Sequence, residues 1–102
     1  MNNYILRGHK PMKCSDIKKW AEWFEKGNRR VAESTITQVG AGVVRVSTVF
    51  LGIDHAFGDG PPELFETMIF GGEHDYETWR YATWDQAEAG HEAACKLSGI
   101  SA

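Results

Sequence analysis

The chain has 102 residues, 42% of them hydrophobic, 12% aromatic and 25% charged, with a formal net charge of −3. That length supports one domain, residues 1–102, around one thin core. The aromatic content excludes a disordered chain, and no apolar run reaches the ~18 residues of a membrane span. The Met1 end lacks a basic-then-apolar signal pattern. Two cysteines, Cys14 and Cys95, are too few for a disulfide framework, so a reducing cytosol is the expected setting. The net charge conceals a split. Residues 1–30 hold 8 basic and 3 acidic side chains, or +5, whereas residues 31–102 hold 3 basic and 11 acidic, or −8. An acidic chain disfavours extended nucleic acid as a partner, since duplex binders carry a basic stripe. The basic third fits a small anion or head-to-tail packing of two copies, and it equally fits a polarised, solvated surface.

Tyr4–Gly8 reads as a short strand that enters a turn at His9-Lys10-Pro11. Ser15 is expected to cap a helix, with Asp16 in its first turn, where the dipole favours an acid. Ile17, Trp20, Ala21 and Phe24 then recur at helical spacing, and Gly27-Asn28 stops the helix. Trp23 falls off that stripe. Arg30–Gln38 is a predicted strand, and Val43–Ile53 is the strongest strand signal in the chain. One parity of the latter carries Val44, Val46, Thr48 and Phe50, the other Arg45, Ser47, Val49 and Leu51. A Gly- and Pro-rich loop covers residues 54–63, Leu64–Phe70 is a strand, Gly71-Gly72 a turn, and Tyr76–Ala82 a short aromatic strand. Thr83-Trp-Asp-Gln86 fits a capping box. The closing helix runs to Leu97, with Ala87, Gly90, Ala94 and Leu97 as its inner face. The expected fold is α+β, a single antiparallel sheet of about five strands with two helices on one face, in the order β-α-β-β-β-β-α. Such a sheet leaves a face that a second copy is expected to cover, with Trp23, Trp79 and Tyr81 as candidate contacts in a homo-oligomer.

The four histidines and two cysteines have no short metal-ligand spacing, so no metal or cofactor is assigned; His91 is expected to be packed or at the rim of the core. Asp54 and His55, with Asp59, Glu63 and Glu66, offer an acid and a base around one loop. No nucleophile motif accompanies them, and loops collect Asp, Gly and Pro simply to turn. No catalytic residue is assigned, and a small hydrolase stays an alternative. Gly58-Asp-Gly-Pro-Pro62 is a poor phosphate cradle, because proline lacks the N–H and Asp59 repels the anion. Arginines among aromatics suit a ligand with phosphates and a flat base. The candidate ligand-binding residues are therefore Arg30, Arg45 and Arg80 for phosphates and Trp79 or Phe57 for the base. The competing reading of any one arginine is an ion pair, such as Arg45 with Glu66.

The run Val46-Ser-Thr-Val-Phe-Leu-Gly-Ile-Asp-His55, then Gly60-Pro-Pro-Glu-Leu-Phe-Glu-Thr-Met-Ile-Phe-Gly-Gly72 and Arg80-Tyr-Ala-Thr-Trp-Asp-Gln-Ala-Glu-Ala-Gly-His91, resembles a group of small phage and prophage proteins. Trp20-Ala-Glu-Trp-Phe24 and Arg29-Arg-Val-Ala32 extend the resemblance over nearly the whole chain. Through that group the chain is similar in layout to sponges that counter Thoeris immunity. The resemblance implies a phage-encoded, non-enzymatic immune-evasion protein, oligomeric and active in the host bacterial cytoplasm. It would sequester a cyclic nucleotide or cyclic ADP-ribose-type signal without degrading it. The alternatives are an inhibitor that docks directly on a host defence protein complex, as an anti-CRISPR does, with acidic residues 54–92 mimicking nucleic acid, and a virion or morphogenesis component.

Overall fold

A computed structural model describes residues 2–40 and 42–100. The chain runs β1 (Tyr4–Arg7), β2 (Lys10–Lys13), α1 (Ile17–Lys26), β3 (Arg30–Gln38), β4 (Gly42–Phe50), β5 (Phe65–Phe70), β6 (Thr78–Tyr81) and α2 (Trp84–Leu97). The class is α+β, as the sequence implies, but the strands divide into two antiparallel sheets. One is the β1-β2 hairpin; the other is a four-stranded meander, β3-β4-β5-β6. The order is thus β-β-α-β-β-β-β-α. The extra strand is β2, where a turn over His9-Lys10-Pro11 was expected. Arg7 stands opposite Lys10, which confines the turn to Gly8 and His9. Gly8 takes a φ of 62°, the positive value that a tight hairpin turn demands at its first central position. Pro11 is tolerated because β2 is an edge strand that need not donate on both sides.

α1 is capped by Asp16 and not by Ser15: its carboxylate accepts from the N–H groups of Lys18 and Lys19 at 3.1 and 3.2 Å. The inward stripe also shifts. Ile17 is 61% exposed and Ala21 is exposed, whereas Trp20, Trp23 and Phe24 turn inward. The Trp20 indole donates to the carbonyls of Tyr4 and Gly52 at 3.1 and 3.0 Å, which ties α1 to both β1 and the end of β4. α2 begins with the expected capping box: the Thr83 hydroxyl accepts from Gln86 N–H, and the Gln86 side chain accepts from Thr83 N–H, each at 3.2 Å. Its buried residues are Ala87, His91, Ala94 and Cys95, while Leu97, expected inside, is exposed. Gly90 does lie inward, where a Cβ would overlap the Tyr81 hydroxyl.

From Val44 onward in β4, and throughout β5, buried and half-buried residues alternate, and α2 lies on the buried side. Two apolar clusters form there. Val44, Val46, Ile69, Ala94 and Cys95 make one, with Trp79 packed against it. Phe50, Leu64, Phe65 and Ala87 make the other, joined by Tyr4, Leu6, Trp23, Tyr81 and Trp84. Burying a Phe side chain stabilises by roughly 1.5–3 kcal/mol, so Phe50 and Phe65 anchor the second cluster. Trp23 meets Phe50 edge-on at 5.6 Å. Trp23, Trp79 and Tyr81, the candidate oligomer contacts, therefore pack within the chain.

A polar rung crosses the sheet between the clusters. Thr48 and Thr67 are fully buried neighbours with their hydroxyls 2.6 Å apart. Thr48 meets His91 Nδ1 at 2.8 Å, and His91 Nε2 meets the Ser34 hydroxyl at 2.9 Å. Burial raises the pKa of the Tyr81 phenol above its ordinary value, with the Thr67 hydroxyl opposing the shift. α2 is thereby keyed to β3 and β4 through one imidazole. With one ring proton, every hydroxyl in the rung finds a partner. Burial holds the His91 pKa below its ordinary value, the nearby Glu92 opposing the shift.

Candidate binding site

The uncovered face of the meander gathers three of the five sequence-predicted ligand residues. Arg30, Arg45 and Arg80 all project from it, since each pairs in register with a residue of the uncovered parity of β4 or β5. None of the three is free. Arg45 Nη1 lies 2.7 Å from a Glu33 carboxylate oxygen, and its guanidinium sits over the Phe70 ring at 4.4 Å. Arg30 reaches the same carboxylate at 3.6 Å. The hydrogen bond from Arg45 lowers the Glu33 pKa against an opposing desolvation effect, with the charges of Arg30 and Arg45 helping. Arg80 Nε lies 3.0 Å from Glu66. The expected Arg45–Glu66 pair is thus replaced by two others. The register sets Glu66 opposite Arg80 and Phe70 opposite Arg45, leaving Glu33 as the diagonal neighbour of Arg45. Arg45 and Arg80 are two strands and four residues apart, about 17 Å between Cα atoms at ordinary sheet spacings. Trp79 points to the covered face, and Phe57 stands 97% exposed in the loop before β5. The five residues do not form one site.

A second arrangement, invisible in local sequence pattern, lies where the β1-β2 turn meets the start of α2. The His9 imidazole stacks on the Trp84 indole with centroids 3.7 Å apart and planes within 5°. Phe65 meets Trp84 edge-on from the core at 6.1 Å, so the indole is held from behind. Around this pair lies a depression of about 410 Å³, lined by Arg7, His9, Lys10, Thr83, Trp84 and Asp85 among others. Arg7 and Lys10 are exposed, and neither enters an ion pair among the described residues. The Trp84 indole N–H is buried with no acceptor among the described residues. Two uncommitted cations, a flat ring and the Asp85 carboxylate therefore share one rim. Phosphate groups suit the cations, a base suits the ring face, and an exocyclic amine suits the carboxylate.

The Asp54-His55 loop has a different arrangement from an acid-base pair. Asp54 Oδ1 accepts from Ala56 N–H at 2.8 Å and Glu63 N–H at 3.0 Å, bonds that lower its pKa. His55 N–H donates to the Glu63 carbonyl at 3.1 Å. These contacts clasp the two ends of the loop. Cys14 and Cys95 are both free thiols. No helix is long and apolar enough to cross a membrane among the described residues. No family model, curated protein or solved structure matches the chain.

Proposed function

We propose that the protein is a non-catalytic binder that sequesters a nucleotide-type anion, of the cyclic nucleotide or cyclic ADP-ribose kind, at the His9–Trp84 stack. The reading includes the setting implied by the sequence resemblance: phage immune evasion in the host bacterial cytoplasm. The observation that carries it is the conjunction of an exposed ring, backed by Trp84, with the uncommitted Arg7 and Lys10 beside it. The sheet-face arginines support it less, because an incoming phosphate must first displace Glu33 or Glu66.

Calorimetry with cyclic ADP-ribose isomers, cyclic dinucleotides and cyclic trinucleotides tests this, followed by heat release and mass analysis of the ligand. Binding with intact ligand is expected. His9→Ala, and Arg7→Ala with Lys10→Ala, are each expected to lose roughly tenfold or more in affinity, about 1.4 kcal/mol, while Arg45→Ala changes little. No binding across the panel overturns the reading, and chemically altered ligand makes the protein an enzyme.

A further inference from the structure

β3 is the edge of the meander, nine residues long. Ile69 spends its N–H and carbonyl on the β6 side, donating to the Glu77 carbonyl at 3.1 Å and accepting from Tyr76 N–H at 2.7 Å. Its register partner Val46 therefore turns its own backbone groups toward β3, where it stands opposite Ser34. Alternation then commits Ala32, Ser34 and Ile36 to β4 and turns the N–H and carbonyl groups of Glu33, Thr35 and Thr37 outward. No other backbone or side-chain group bonds these among the described residues. All three residues are exposed. Most of the usual protections of an edge are missing along this stretch: it holds no lysine and no proline, its one charged side chain is Glu33, and its one irregularity lies at the far end, between Arg30 and Ala32. β6, the opposite edge, is only four residues long.

We infer that β3 is an interface for a second copy of this chain, which adds antiparallel about a two-fold axis at Thr35 and makes one eight-stranded sheet. The outward groups identify a strand as the partner, and self-complementarity identifies the strand as β3. With the axis at Thr35, Thr35 faces its own equivalent and Glu33 faces Thr37 in both directions. All the outward N–H and carbonyl groups of Glu33, Thr35 and Thr37 are then paired, giving six new main-chain bonds by geometry, about two per facing pair. An axis at Glu33 would instead set two carboxylates opposite each other, which is unfavourable. On the covered side Ser34 and Ile36 face one another, so no buried charge is created. A two-fold contact of this kind closes on itself and gives a dimer. The inference stands independently of the ligand reading.

Sedimentation velocity across a dilution series provides the test, with far-UV circular dichroism as a check on folding. The wild-type chain is expected to be a dimer that dissociates on dilution. Thr35→Pro removes an outward N–H that β4 does not use, and Thr35→Lys sets two ammonium groups across the axis. Each is expected to weaken dimerisation by roughly tenfold or more while the fold is retained; if the proline variant does not fold, the lysine variant carries the test. A monomeric wild-type chain at every concentration, or a dimer that persists unchanged in either folded variant, overturns the inference. Ligand titration of Thr35→Lys separates this outcome from failure of the proposed function, because that variant leaves Arg7, His9 and Lys10 untouched.

Discussion

The two faces of the meander carry polar side chains from the same strands under opposite physical conditions. On the covered face Thr48, Thr67 and His91 are buried, and their bonds run through one another. On the open face Arg45 with Glu33 and Arg80 with Glu66 sit at the water boundary. A buried group that loses its partner has no water to replace it and bears the full desolvation cost, whereas an exposed ion rehydrates. Short distances occur on both faces, 2.6 Å between the threonine hydroxyls and 2.7 Å in the Arg45–Glu33 pair. Distance alone therefore does not rank them. Solvent access does.

The largest effect should follow from Thr48→Val, which keeps the shape of the side chain and deletes the central hydroxyl of the rung. Thr67 and His91 Nδ1 each lose a partner at once. An unsatisfied buried group costs about 1–3 kcal/mol, so a loss near the top of that range is expected in urea unfolding. Thr48→Ser, which retains the hydroxyl, should lose distinctly less. Equal losses for the two variants would mean that packing, and not the bonds, holds the rung together.

A smaller effect, confined to mild acid, should come from His91. Its folded-state pKa lies below its ordinary value because burial disfavours the imidazolium. Above the unfolded value of about 6.5 the ring is neutral in both states and the rung contributes fully. As pH falls below 6.5 the unfolded chain takes up the proton first, so stability declines until pH passes the folded pKa. Glu33 and Asp54, whose pKa values are also lowered, lose their contributions only at more acid pH, from about their ordinary values of 4.5 and 3.8 downward. The window between pH 6.5 and 5 thus lies above the range in which these two carboxylates act. His91→Gln should flatten the decline there, and an unchanged slope would assign it to another group.

The covered face was legible in the sequence because it depends on local alternation. The parity of Val44, Val46, Thr48 and Phe50 marks the buried side of β4, and the Thr83–Gln86 capping box marks the start of α2. The open-face pairings were not legible, since they depend on register: one strand's offset decides whether Glu66 meets Arg45 or Arg80. The His9–Trp84 stack was hidden for a related reason. It requires the β1-β2 hairpin to close at Gly8-His9, and Pro11 reads locally as a turn residue. The rung was half legible. Thr48 appears in the same parity as Val44, Val46 and Phe50, and His91 is expected in the core or at its rim, but nothing local brings Ser34, Thr67 and Tyr81 to the same line.

The smallest effect on stability should come from the open face, and it also separates the two candidate binding surfaces. Glu66→Gln keeps the shape of the side chain and leaves Arg80 without its carboxylate, which was 3.0 Å away. The pair is partly exposed, so its removal should cost less than about 1 kcal/mol and lower Tm only slightly. The liberated Arg80 then has its charge available to an anion. If the ligand sits at the His9–Trp84 stack, its affinity for the Glu66→Gln protein should equal that of the wild type in calorimetry. A clear gain in affinity would place the ligand over the sheet instead, with Arg80 as a phosphate contact. The same variant that barely moves stability thereby decides which surface of the molecule binds.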